Sequence, residues 1–191
     1  MHVRFSSCIG MPVIDDLNDE VQGVLSGILI EPDTGIIEGF FVHVPGFLTR
    51  QELYCSALDV IRWGTRVVVR DPEAVAPADD RIRLQALLQD ARTVIGQKMR
   101  TESGKLVGIC RDVQFDTEAM HVEWLFPKRW WKWGIALPLS EVVEITPAAI
   151  LLRDPKKMES VPAESVPTVL PKMSDISDPG FSHRSSYNTE R

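Results

Sequence analysis

The hydrophobic positions along the chain fall in short runs that predict β-strands. Residues 36–44 are rich in β-branched and aromatic side chains and follow a Pro-Asp-Thr-Gly turn sequence. The apolar runs at 66–70 and 150–152 are also short, and each is followed closely by a proline, which cannot donate a ladder hydrogen bond. This pattern predicts a mainly β protein.

Most of these runs occur twice, in two copies of one pattern. Each copy begins with Ile-Gly, at residues 9 and 95, and continues with a polar loop, an apolar-x-Gly motif, two apolar strands and a final apolar run before Arg-Asp-Pro. The first motifs lie 86 residues apart and the last lie 83 apart, a drift that small loop deletions explain. Internal repetition of this kind indicates a duplicated structural unit.

Each copy has the length of a small closed β-barrel, which would remove exposed sheet edges. We therefore predict barrel domains at residues 1–75 and 94–155. Between them, residues 76–93 form a linker with a short helix across 81–88, capped by Asp79 or Asp80. Residues 156–191 are rich in Pro, Ser and small polar residues, and we predict a disordered tail there.

The motifs of the first copy resemble the PRC-barrel family. They read Ile-Gly-x-Pro-Val, Val-x-Gly, Asp-Thr-Gly and Ala-Leu-Asp-Val-Ile-x-x-Gly, within residues 9–72. Residues 95–155 look like a second, diverged copy, in which Glu118 replaces the glycine of Asp-Thr-Gly. The resemblance implies two tandem PRC-like barrels in a stand-alone protein similar to those of bacteria. It also implies a non-catalytic binding module, like the barrels of the photosynthetic reaction-centre H subunit and of a ribosome-maturation factor.

Composition and charge narrow the classes of function. The chain is 44% hydrophobic and 25% charged, as expected for a soluble globular protein, and it has no apolar run long enough for a spanning helix. No secretory signal is recognisable, and the three cysteines are scattered, which favours packed, reduced thiols in a cytoplasmic protein. The net charge of −6 arises entirely within residues 1–75, so this part of the surface would repel nucleic acid.

The sequence offers no catalytic constellation, and we predict that the protein is not an enzyme and has no cofactor. Its four histidines are isolated and lack metal-ligand spacing. The Gly-x-x-Ser-Gly at residues 23–27 departs from the nucleophile-elbow spacing. The acidic stretch 15–20 invites a calcium interpretation, but a solvated hairpin loop is favoured because Val21 stands where an EF-hand requires glycine.

The candidate site is the sequence Phe-Pro-Lys-Arg-Trp-Trp-Lys-Trp-Gly at residues 126–134. Its alternation favours a strand in which Trp131 and Trp133 face the barrel core or the contact between barrels. The tip would then project a basic and aromatic surface. The candidate binding residues are Lys128, Arg129, Trp130 and Lys132.

The preferred function is a cytoplasmic scaffold that binds an unidentified protein through this hairpin and the junction between the barrels, because Trp and Arg are enriched at protein hot spots. A second hypothesis is RNA processing or ribosome assembly, with rings stacking on bases and cations on phosphates. A third is attachment to an anionic membrane surface as a peripheral adaptor. No small-molecule substrate is evident.

Overall fold

The computed structural model describes residues 1–44, 53–80 and 84–154, and the fold is mainly β. The predicted tail at 156–191, the first-copy loop at 45–52 and residues 81–83 of the predicted linker helix lie outside the described residues. Residues 1–155 form one compact unit. Among the described residues, no helix has the length and hydrophobicity needed to cross a bilayer.

Short strands account for most of the described chain. The described ranges contain two four-residue helices, α1 (Phe5–Cys8) and α2 (Gln85–Leu88), and 3-10 turns that include Ala57–Asp59, Pro72–Ala74, Ala78–Asp80 and Leu139–Glu141. The strands, in chain order, are β1 (His2–Arg4), β2 (Pro12–Asp15), β3 (Val21–Ile30), β4 (Ile37–His43), β5 (Leu53–Ser56), β6 (Val60–Trp63), β7 (Val67–Val69), β8 (Val75–Pro77), β9 (Lys98–Thr101), β10 (Leu106–Asp116), β11 (His121–Arg129), β12 (Lys132–Trp133), β13 (Leu137–Pro138), β14 (Val142–Ile145) and β15 (Ile150–Leu152).

These strands form two sheets with matching topology. Sheet 1 has the order β6-β7-β2-β3-β4-β5-β8, and sheet 2 contains the order β14-β15-β9-β10-β11, with β13 and β12 on β11 and β1 on β10. The parallel pairs are also equivalent, since β2 runs beside β7 and β9 runs beside β15. The duplication read from the sequence is therefore present in the strand order.

Individual hydrogen bonds repeat as well. The Gly10 N–H donates to the Leu25 carbonyl at 2.7 Å, and the Gly96 N–H donates to the Cys110 carbonyl at the same distance. Both glycines have a positive φ, of 85° and 91°, which explains the glycine that opens each copy. The drift in spacing from 86 to 83 residues thus leaves the opening turn of each copy unchanged.

The two copies meet through a symmetric pair of backbone hydrogen bonds. The Ile37 N–H donates to the Met120 carbonyl at 2.8 Å, and the Val122 N–H donates to the Gly35 carbonyl at 2.9 Å. Gly35 and Met120 occupy equivalent positions and both have a positive φ, of 77° and 46°. The bonds exchange when the copies exchange, so a local two-fold axis passes between the β3–β4 and β10–β11 turns.

A single hydrophobic core connects the sheets. Phe40 and Trp63 of sheet 1 lie against Phe115 of sheet 2, with ring centroids 6.2 and 5.5 Å from that of Phe115. All three cysteines are buried, which confirms the packed thiols, and burial raises the pKa of the Cys110 thiol to about 12. Most of the apolar runs predicted as strands contribute to this core.

The described part of the linker contains the second half of the predicted helix as α2. Helix α2 begins at Gln85, its preceding residue Leu84 provides no side-chain cap, and Asp79 belongs to a separate 3-10 turn. Because residues 81–83 lie outside the described residues, the cap by Asp79 or Asp80 stays a prediction.

The acidic loop between β2 and β3 is organised by Asp15. Its buried carboxylate accepts hydrogen bonds from the N–H groups of Asn18 at 2.7 Å and Glu20 at 3.3 Å, and from the Gln22 side chain at 2.9 Å. Both carboxylate oxygens are thus used within the loop, as the hairpin interpretation predicts. Burial raises the pKa of Asp15, but these donors together lower it below the usual value.

We expect acid to destabilise the fold through Asp15. Because its folded-state pKa lies below the unfolded value of about 3.9, the carboxylate contributes stability above that value and loses it as pH falls through the folded-state pKa. Between about pH 5 and about pH 2.5, the free energy of unfolding should fall less for the Asp15→Asn variant than for wild type. Urea titrations at the two pH values measure this difference, and equal losses would contradict the assignment.

Gly23→Ala should destabilise the protein by roughly 2 kcal/mol, since an added Cβ would lie 2.7 Å from the His43 carbonyl oxygen at a φ of 153°. Gly64→Ala is the matched control because nothing lies within 4 Å of its added Cβ, and it should change stability by less than about 0.5 kcal/mol. Chemical denaturation provides the comparison. Equal effects of the two substitutions would show that the close approach of β3 to β4 is unimportant.

Candidate binding hairpin

The basic and aromatic stretch forms a tight hairpin at the edge of sheet 2. Lys128 pairs with Trp133 and Arg129 with Lys132, which leaves Trp130 and Trp131 as a two-residue turn. The Gly134 N–H donates to the Pro127 carbonyl at 2.8 Å and continues the pairing. Trp130 has a φ of 59°, a conformation that is strained for a bulky side chain.

The turn presents its aromatic rings to solvent. Trp130 is 81% exposed and Trp131 is 74% exposed. Their ring centroids lie 5.8 Å apart at an interplanar angle of 84°, so the two rings contact each other edge to face. A further apolar side chain, Ile135, is 85% exposed just beyond the hairpin.

The prediction that Trp131 and Trp133 face the core is wrong, since Trp133 is also 52% exposed. A buried face would require one continuous strand from Trp131 to Leu137. Strand β12 instead contains only two residues, both exposed, and residues 134–136 are not in a strand. The alternation in the sequence therefore does not extend over a strand long enough to bury one face.

Two cationic side chains lie close to the Trp133 ring. The Lys128 Nζ and the Arg4 guanidinium carbon each lie 5.1 Å from the Trp133 ring centroid, and the same Arg4 carbon lies 4.0 Å from the Phe126 ring. These distances are typical of cation–π interactions. Arg129 and Lys132 are exposed, and within the described ranges neither forms an ion pair.

The sequence could not have identified Arg4, which comes from β1 at the other end of the chain. It is held by Asp112, whose carboxylate is 1% exposed and accepts a hydrogen bond from Arg4 Nε at 2.9 Å. Ser6 donates to the same carboxylate from its N–H at 2.9 Å and its Oγ at 2.5 Å. A buried carboxylate with this many donors is compensated, so β1 is firmly attached to sheet 2 beneath the hairpin.

Strand β1 also brings His2 to two carboxylates. His2 Nδ1 lies 2.9 Å from Glu123 Oε2 and 3.5 Å from Asp116 Oδ2. Such a set could ligate a divalent metal such as zinc, but the same contacts constitute an ordinary ion-pair cluster between neighbouring strands. His2 lies more than 100 positions before Asp116 and Glu123 in the chain, which is why it looks isolated in the sequence.

Comparison with known proteins adds no identity. No protein-family model matches the chain, and no curated protein matches it significantly. The assignment of a function therefore depends on the geometry of the surface.

Fluorescence quenching should report the exposure of the turn. Of the five tryptophans, Trp130 and Trp131 are the two most exposed, so acrylamide should quench the Trp130→Phe/Trp131→Phe variant less than wild type. Trp63→Phe is the matched control, because Trp63 packs against Phe40 and its removal should increase the mean quenching constant. If the double variant is quenched as strongly as wild type, the exposed turn is contradicted.

Proposed function

We propose that the protein is a non-enzymatic cytoplasmic binding or scaffold module built from two diverged PRC-like barrels, and that it contacts a partner protein through the Lys128–Trp133 hairpin. The observation that carries this proposal is the exposure of Trp130 and Trp131 on a two-residue turn. Adjacent exposed rings at a fixed point of a sheet supply large apolar area with little conformational entropy to lose.

The PRC-like assignment draws support from the placement of the shared motifs. The Ile-Gly of each copy forms the same positive-φ turn, and Gly23 and Gly108 each approach the backbone of the neighbouring strand closely. The role of binding module that the resemblance implies is consistent with the exposed aromatic hairpin.

Charge favours a protein partner over nucleic acid. Lys128 and Arg4 are already engaged with Trp133, which leaves Arg129 and Lys132 as the exposed cations of the hairpin. Residues 1–75 carry the whole net charge of −6, so an extended phosphate backbone would be repelled by the first copy. A compact protein surface that meets only the hairpin avoids this repulsion.

The experiment is affinity capture from native lysate with mass spectrometry, comparing wild type with Trp130→Ala/Trp131→Ala. Leu58→Ala is the matched control, because Leu58 is 85% exposed in the 3-10 turn Ala57–Asp59 of the first copy. We expect a protein that wild type and Leu58→Ala enrich equally and that the double variant loses by at least about tenfold, which corresponds to about 1.4 kcal/mol. Nuclease treatment should not change its recovery.

The proposed role of the hairpin is contradicted if the double variant enriches the same proteins as wild type. Recovery abolished by nuclease would instead favour RNA, and flotation with anionic vesicles would favour a membrane surface. These arms therefore separate the three classes of partner.

RNA remains the second candidate function, because Arg129 and Lys132 flank two exposed rings that can stack on unpaired bases. It predicts that the protein sediments with ribosomal particles or ribosomal RNA at low salt and is released as salt rises. Arg129→Ala/Lys132→Ala should then weaken sedimentation without loss of the fold. A protein that stays in the supernatant at low salt excludes this function.

A further inference from the structure

In sheet 2, two different strands pair with the same edge of β10. β9 pairs with its first half, as far as Ile109, and β1 pairs with its second half, at residues 114–116. The Thr117 N–H extends this pairing by donating to the Met1 carbonyl at 2.8 Å. Strand β1 thus covers an edge that would otherwise be open.

The equivalent edge in sheet 1 is not covered by a strand. β2 pairs with β3 only as far as Val24, and within the described ranges no strand pairs with Ile28–Ile30 on that side. The segment that corresponds in sequence to β1, residues 88–90, is the end of α2 and a turn. An unpaired edge of this kind can hydrogen bond to an added strand.

A cleft separates this edge from the linker. Its volume is about 260 Å³, and its lining includes residues 28–30, Leu87 and Leu88. An adjoining cleft of about 380 Å³ extends past Leu87 to Glu31 and Glu38. The edge therefore has an apolar wall and an acidic end, and the described part of the linker leaves a cleft beside it.

The acidic end repeats the residues that hold β1 in sheet 2. There, His2 contacts Asp116 and Glu123. The equivalent positions in the first copy, 85 residues earlier, are Glu31 and Glu38, so both carboxylates are present beside an edge on which no described strand corresponds to β1. Within residues 1–44, 53–80 and 84–154, the Glu38 side chain has no hydrogen bond or ion pair.

The other described charges that line the cleft do not form ion pairs with Glu31 or Glu38. Arg92 is the described cation that lines both clefts, and it contacts Asp33 at 2.6 Å and Asp90 at 2.8 Å. Glu31 uses one carboxylate oxygen, Oε2, to accept the Thr34 N–H at 2.6 Å. Among the described residues, a basic group arriving at this end would therefore meet two carboxylates that form no ion pair.

We propose that the β3 edge at Ile28–Ile30 binds an extended, basic segment of a partner protein by strand addition. A basic side chain of that segment lies between Glu31 and Glu38, as His2 lies between the carboxylates of sheet 2. The next side chain enters the apolar cleft, as Val3 of β1 packs against the core. This surface belongs to sheet 1 and is independent of the hairpin at residues 128–133.

The probe is a labelled, end-blocked hexapeptide of alternating Lys and Val, titrated against the full chain by fluorescence anisotropy. We expect saturable binding that Glu38→Gln weakens by about threefold to tenfold, because one charge pair is lost. Glu123→Gln is the matched control in sheet 2 and should leave peptide affinity unchanged, since β1 fills that site. An alternating Glu and Val peptide should not bind.

Amide hydrogen exchange identifies the edge without relying on a substitution. Exchange at residues 28–30 should slow when the Lys and Val peptide is bound, and it should slow equally in Trp130→Ala/Trp131→Ala. Protection elsewhere, equal binding of the acidic peptide, or loss of binding in the double tryptophan variant would overturn the proposal. A concentration-dependent dimer that the peptide dissociates would also overturn it, because the occupant would then be a second copy of the chain.

Discussion

The pair of hydrogen bonds between Gly35–Ile37 and Met120–Val122 is the constraint on which the architecture depends. Each turn donates one N–H and accepts one, so neither turn can move without breaking a bond at the other. Because the two bonds lie on either side of the local two-fold axis and are related by it, they also set which faces of the sheets meet. The shared core of Phe40, Trp63 and Phe115 forms between those faces.

Strand β1 breaks this two-fold symmetry, because it brings its charged side chains to sheet 2. Arg4 reaches the buried Asp112 and, beyond it, the rings of Phe126 and Trp133. Burying a carboxylate is tolerated because four donors compensate it, from Arg4, Ser6 and the Val113 N–H. In sheet 1 the corresponding position of β3 has no such strand, which leaves a cleft with two carboxylates.

The sequence predicts the strands and turns that repeat between the copies. It does not predict the features that depend on one particular tertiary contact. The spacing of the motifs correctly places equivalent strands, because glycine turns and strand registers are local and repeat with the sequence. Burial of Trp131 and Trp133 could not be read from alternation, since two residues of strand cannot bury a face. Arg4 and His2 carry no local signal, because their partners lie more than 100 residues away in the chain.

A two-fold arrangement within one chain has a consequence for stoichiometry. Two separate copies related by the same axis would display every surface twice, and a partner could bind at both. Joining the copies by a linker keeps them at high effective concentration, so the halves can differ without separating. Within the described residues, the chain accordingly has one aromatic hairpin and one open acidic edge, each present once on an otherwise duplicated frame.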